Sequence, residues 1–191
     1  MLFLILFISY LIGSIPFGFL LTKIFLKKDI REIGSGNIGA TNALRTGNKL
    51  IGYSTLILDM SKAVILLLII KFNFSEYLFT SSIAVFLGHV FPIWLKFKGG
   101  KGVATYVGIL FCINIYLAVN FIIVWLVVFV ISKYSSLASI VASLIVPISS
   151  YFLLNDTNYY FYIILFFLIF ITHRENIKRL KNNTESKTKI Y

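Results

Sequence analysis

The sequence predicts an all-α integral membrane protein with seven transmembrane helices, its N-terminus outside and its C-terminus in the cytoplasm. Three observations carry this. Of 191 residues, 59% are apolar and only 13% charged, with a mean hydropathy of +0.91, whereas a soluble domain carries about a quarter charged residues. The apolar residues fall in runs mostly near the ~20 residues that cross a hydrocarbon core. The charge is lopsided, 18 Lys and Arg against 7 Asp and Glu for a net +11, and the basic residues collect between alternate runs.

The runs follow in chain order. The first, residues 1–22, has no basic start and no small-residue cleavage site, so it is expected to stay in the mature protein; Ser14, Pro16 and Gly18 interrupt it and permit a kink. The second, residues 50–70, carries Asp59 and Lys62, three apart on one helical face where they can pair. Residues 77–95 follow, with His89 near their cytoplasmic end. Residues 103–113 are shorter than the bilayer, and a turn at Asn114 joins them to residues 116–131. Residues 137–154 are apolar apart from serines, and residues 159–172 form the last run.

With the N-terminus outside, every Lys and Arg except Lys62 and Lys71 falls on the cytoplasmic side, in residues 23–49, 96–101, the turn at Lys133 and the segment after Thr172. Dropping the short fourth run would strand Lys133 and the basic tail opposite the Gly-rich loops, so seven spans are expected rather than six. Residues 1–180 read as one multispan domain and residues 181–191 as a polar, frayed cytoplasmic tail. The single cysteine, Cys112, excludes a disulfide framework.

Two cytoplasmic loops carry chemistry. The first contains Gly34-Ser35-Gly36-Asn37-Ile38-Gly39-Ala40-Thr41-Asn42, then Arg45. Its G-x-G-x-x-G spacing lies between two membrane runs instead of at a strand-to-helix turn, which excludes a dinucleotide site. Gly34, Gly36 and Gly39 still let backbone N–H groups converge on an anion, with Ser35, Asn37, Thr41 and Asn42 as small donors and Arg45 as a cation. The second loop, Lys96-Phe97-Lys98-Gly99-Gly100-Lys101-Gly102, feeds straight into the short fourth run, placing free N–H groups and a positive dipole end beside the glycines. It is not a Walker A loop, because Gly102 and Val103 follow Lys101. Ser135, Ser136 and Ser139, and His173, Arg174 and Asn176, bring further polar groups to the same face, where His173 and Asn176 share a side of the helix. The chemistry common to these segments is recognition of phosphate oxygens, so the ligand is expected to be small and phosphorylated.

Ser14-Ile15-Pro16-Phe17-Gly18, the Gly34 loop with Arg45, Asp59 with Lys62, Gly88-His89-Val90-Phe91-Pro92 running into Phe97 to Thr105, and His173-Arg174-Glu175-Asn176-Ile177-Lys178-Arg179-Leu180 together resemble the bacterial acylphosphate-dependent glycerol-3-phosphate acyltransferases, the PlsY family. One departure is Ala63 after Lys62, where a glycine is expected.

The resemblance implies an enzyme active at the cytoplasmic face, moving a fatty acyl group from acyl phosphate to the 1-hydroxyl of sn-glycerol 3-phosphate, the first step of phospholipid synthesis in the bacterial plasma membrane. It implies Ser35, Arg45 and Lys101 on substrate phosphates, with Ser139, His173 and Asn176 beside the attacking hydroxyl. Gly34, Gly36, Asn37, Thr41, Asn42, His89, Lys98, Gly99, Gly100 and Gly102 complete the expected binding set. Either His173 or the substrate's own phosphate takes the hydroxyl proton.

The His-x-x-x-x-Asp signature of other acyltransferases is absent, since Trp94 and Lys178 stand five residues after the two histidines. No metal or other cofactor is expected, because Asp29, Glu32, Glu175 and Glu185 form no ligand cluster. The expected partners are acyl phosphate, glycerol 3-phosphate and membrane lipid, with no nucleic acid, and the oligomeric state is left open. The alternative is a transporter of a small phosphorylated solute, against which stands the clustering of polar residues at one face.

Overall fold

The computed structural model describes residues 1–188, and among them all regular structure is helical. Residues 189–191 of the expected tail lie outside the described residues. Backbone contacts divide the chain into two compact units, Met1–Cys112 and Ile113–Tyr191.

In the first unit, α1 (Leu2–Gly13) and α2 (Phe17–Leu26) are one apolar stretch broken at Pro16. The proline ring removes an N–H and disfavours helical backbone at Ile15, which explains the break. A five-residue helix, α3 (Ala40–Leu44), precedes the 25-residue α4 (Lys49–Asn73), whose start is capped by Asn48 accepting from Ile51 N at 3.1 Å. Next come α5 (Leu78–Val90) and the 11-residue α6 (Val103–Ile113).

Small residues let these helices touch backbone to backbone, as membrane helices commonly do. A Cβ on Gly88 would lie 2.9 Å from Ser14 N, and one on Gly13 would lie 2.9 Å from Val85 Cα. A Cβ on Gly108 would lie 2.5 Å from the Met60 carbonyl and 3.2 Å from Ala63 Cβ. The close approach that a glycine after Lys62 would have allowed is therefore supplied from α6. At the far end of α6, Lys71 Nζ donates to the Cys112 carbonyl at 2.7 Å.

The second unit holds α7 (Ile115–Ser132), α8 (Ser135–Leu154), α9 (Tyr159–Thr172) and α10 (Arg174–Lys181), with α7 packed on α8 and α8 on α9. Asn114 caps α7, accepting from Tyr116 N at 3.0 Å, which is the turn the sequence predicts there. Between α9 and α10 the axis bends by 60° at His173, which is the N-cap of α10 three residues before Asn176. Among the described residues of the expected tail, Glu185 bonds to α8 and α10, and Thr188 N donates to the Lys133 carbonyl at 2.9 Å.

Among the described residues four segments, Leu2–Leu26, Ser75–Leu95, Ile115–Ser132 and Ser135–Leu154, are long and apolar enough to cross a membrane, and the bent α9–α10 pair makes a fifth if counted as one span. Their outer surfaces are apolar: Phe3 is 87% and Ile131 79% exposed. Such surfaces suit lipid, not water.

Candidate active site

Asn42, 2% exposed, organises the first loop. Its Nδ2 lies 3.0, 2.9 and 2.7 Å from the carbonyls of Ile30, Ile33 and Asn37, and its Oδ1 accepts from Ser35 N at 2.9 Å. Expected as a donor to ligand, Asn42 instead commits its amide inside the loop and holds Ser35 in place. Asn37 Oδ1 accepts from Gly39 N at 2.9 Å, which starts α3, where Thr41 stands half-buried.

Gly34 has a φ of +53°, and a Cβ there would come within 2.8 Å of Arg45 Cδ, so only glycine lets the arginine cross the turn. Arg31 is committed elsewhere: its Nη2 pairs with Asp29 at 2.6 Å, and that hydrogen-bonded guanidinium holds the Asp29 carboxyl down to about 2. The Arg45 guanidinium has no acceptor among the described residues, and the Ser35 side chain is exposed. Together they present a cation and a hydroxyl beside Gly34 and Gly36.

The second loop is fastened to the end of α5, where Gly99 N donates to the Val90 carbonyl at 3.0 Å and Gly100 N to the His89 carbonyl at 3.1 Å. Gly102, at φ +85°, turns the chain into α6, and a Cβ there would enter the Phe86 ring. Lys101 is half-buried between the glycines, while Lys98 is exposed. The first-turn N–H groups of α6 have no acceptor within their own helix, so this end offers oriented donors next to Lys101.

Beneath this loop the expected Asp59–Lys62 pair is present at 2.8 Å, with both side chains buried. His89 joins it, its Nδ1 lying 3.0 Å from Lys62 Nζ. The sequence pairs the two charges by their spacing but contains no signal that His89, 27 residues away, completes them.

In the second unit, Ser139 Oγ donates to the Ser135 carbonyl at 2.8 Å and accepts from Trp125 Nε1 at 3.0 Å. Its proton is thus engaged by a helix carbonyl, which does not suit a nucleophile. His173, 2% exposed, has Nδ1 2.8 Å from the Ile169 carbonyl. Only an N–H donates to a carbonyl, so the neutral ring keeps its lone pair on Nε2. Glu185 accepts from Asn176 Nδ2 at 2.6 Å, Ser136 Oγ at 2.7 Å and Arg179 Nε at 2.7 Å. Burial alone would raise its carboxyl, but the donors from Arg179, Asn176 and Ser136 outweigh burial and hold it below its ordinary range. The buried Asn176 Oδ1 has no donor among the described residues. Trp125 and Glu185 were not expected among the polar contacts of this unit; the one clue was a lone acid in an otherwise basic tail.

The first unit thus carries two glycine-shaped turns beside Arg45 and Lys101, and the second holds His173, with its Nδ1 proton on the Ile169 carbonyl, and the Asn176 amide. The glycerol-3-phosphate acyltransferase family model matches residues 3–183. A glycerol-3-phosphate acyltransferase of Pelagibacter ubique is 70% identical over 96% of this chain and 95% of its own length. One of Mesorhizobium japonicum is 48% identical over 94% and 92%. The crystal structure of PlsY (YgiH), an integral membrane glycerol 3-phosphate acyltransferase in its glycerol 3-phosphate form, superposes with a TM-score of 0.91 at 38% identity, covering 97% of this chain and 94% of that one. Its lysophosphatidic acid form gives a TM-score of 0.87. By family model, relatives and fold alike, this chain belongs to the glycerol-3-phosphate acyltransferase family.

Proposed function

We propose that the chain transfers a fatty acyl group from acyl phosphate to the 1-hydroxyl of sn-glycerol 3-phosphate, releasing 1-acyl-sn-glycerol 3-phosphate and inorganic phosphate as the first step of phospholipid synthesis. It does so as a seven-span protein of the bacterial plasma membrane, N-terminus out, with residues 1–180 acting as one domain and the site open to the cytoplasm.

The observation that carries this reading is the pair of glycine-shaped seats, one topped by the acceptor-less Arg45 and the other opening on the first turn of α6 beside Lys101. Both substrates carry phosphate. Acyl phosphate is a mixed anhydride with a good leaving group, so positioning and charge stabilisation suffice for direct transfer. The hydroxyl oxygen attacks the acyl carbon, the bond from that carbon to the phosphate oxygen breaks, and phosphate leaves with the electron pair. The hydroxyl proton goes to His173 Nε2 or to a phosphate oxygen. Ser35, Arg45 and Lys101 take the roles of phosphate ligands, and Ser139, His173 and Asn176 serve the acceptor hydroxyl. With the Ser139 proton engaged by Ser135, no acyl-enzyme is needed.

Purified protein given acyl phosphate and glycerol 3-phosphate is expected to release phosphate and lysophosphatidic acid in equal amounts. Release of phosphate without lysophosphatidic acid would show hydrolysis and overturn the reading.

A further inference from the structure

Lys62 Nζ lies within hydrogen-bond reach of three acceptors: the Ile15 carbonyl at 2.9 Å, Asp59 Oδ1 at 2.8 Å and His89 Nδ1 at 3.0 Å. An ammonium has three protons and no acceptor capacity. Each proton has one taker, so Nδ1 of His89 receives from Lys62 at 3.0 Å, nearer than its 3.5 Å approach to Asp59 Oδ1, and the neutral ring carries its own proton on Nε2.

That Nε2 edge faces the Gly-rich loop: a Cβ on Gly100 would overlap it. His89 is 4% exposed, and within the described residues no acceptor takes the Nε2 proton. This donor is aimed at a loop whose glycines and α6 N–H groups already favour an anion.

We propose that His89, fixed as the Nε2–H tautomer by Lys62, donates to a phosphoryl oxygen of the acyl donor seated on Gly99, Gly100, Lys101 and Gly102. Lys62 is a positioning residue that acts through His89, and Asp59 keeps the ammonium charged. The inference rests on the acyl-phosphate reading above.

Two measurements on the full chain test it. The chain has two histidines, so nitrogen NMR of histidine-labelled protein, assigned with His173→Asn, reads the tautomer of His89 directly. The expected result is a neutral ring protonated on Nε2, whose resonance moves when inorganic phosphate is added; protonation on Nδ1, or no response to phosphate, overturns the proposal. In the transferase assay, His89→Asn keeps an oxygen where Nδ1 stood but removes the distal donor, and His89→Gln restores a donor there. Loss of a hydrogen bond to a charged group predicts a KM for acyl phosphate roughly 10- to 100-fold higher in the Asn variant. The KM for glycerol 3-phosphate should stay near wild type, and Gln should recover most of the loss. Equal rises in both KM values for both variants would reduce His89 to a packing residue. If wild-type protein makes no lysophosphatidic acid while the Nε2 response to phosphate persists, the transferase reading fails and the phosphate donor stands.

Discussion

Asn42 is the residue whose removal should loosen the first loop while sparing the helices. Its amide has two protons to share among the carbonyls of Ile30, Ile33 and Asn37, and one oxygen that takes the Ser35 N–H, so three hydrogen bonds are lost in Asn42→Ala. At about 1 kcal/mol net for each, the loop loses about 3 kcal/mol. That raises its open population roughly 100-fold. Trypsin reports this directly, because Arg31 and Arg45 lie in the loop. Cleavage there should accelerate by about two orders of magnitude if reclosure outpaces cutting, helical circular dichroism should be unchanged, and transferase activity should fall with the loss of Ser35 and Arg45 placement. Asn42→Asp is the sharper variant: it keeps the acceptor for Ser35 but turns a carboxylate onto three carbonyl oxygens, so it should be worse than Ala. Wild-type resistance to trypsin in the Ala variant, or an Asp variant more resistant than Ala, would refute the reasoning.

Other perturbations follow from the same geometry. Arg45→Ala and Lys101→Ala should each lose most transferase activity while still inserting in the membrane; near-normal turnover in both would remove them from the site. His173→Ala separates the two proton routes, since a large retained rate assigns the proton to the substrate phosphate. Gly102→Ala sets a side chain at φ +85° against the Phe86 ring, and should cost about 1–2 kcal/mol from backbone strain alone, read as a lowered melting temperature. Glu185 has a folded pKa below its unfolded one, so its contribution to stability is complete above the ordinary carboxylate range and fades as pH falls through the folded value. The melting-temperature gap between wild type and Glu185→Gln should accordingly narrow on acidification, and a gap that widens would contradict the assigned direction.

Much of this was legible in the sequence because it depends on local rules. Pro16 breaks the first helix, Asn114 turns the chain, and the separation of Asp59 and Lys62 by three positions makes them neighbours on any α-helix. The glycines of both loops mark where the backbone must take a left-handed turn or meet another group closely. What escaped depends on contacts between residues far apart in sequence. Asn42 looks like a ligand donor until the carbonyls of Ile30 and Ile33 are seen to claim it. His89 could be satisfied by a helix carbonyl, and only the packing of α5 on α4 brings it to Lys62. The bend at His173 leaves no mark, since neither proline nor glycine lies there. Glu185 sits in a tail whose composition reads as solvated, yet three donors hold it.

The bond from Lys71 to the Cys112 carbonyl has a consequence for depth. Eleven residues rising about 1.5 Å each make α6 roughly 16 Å long, about half of a ~30 Å hydrocarbon layer. A helix that short in the proposed seven-span arrangement cannot put both ends in water. Its C-terminal carbonyl, which lipid cannot solvate, is answered by Lys71 reaching along from α4. That leaves the opposite end, with Gly102 and Lys101, to meet the cytoplasmic boundary in the proposed arrangement. In the proposed reaction a donor with a fatty chain can reach that seat with its chain still in lipid, while the water-soluble acceptor arrives from the cytoplasm.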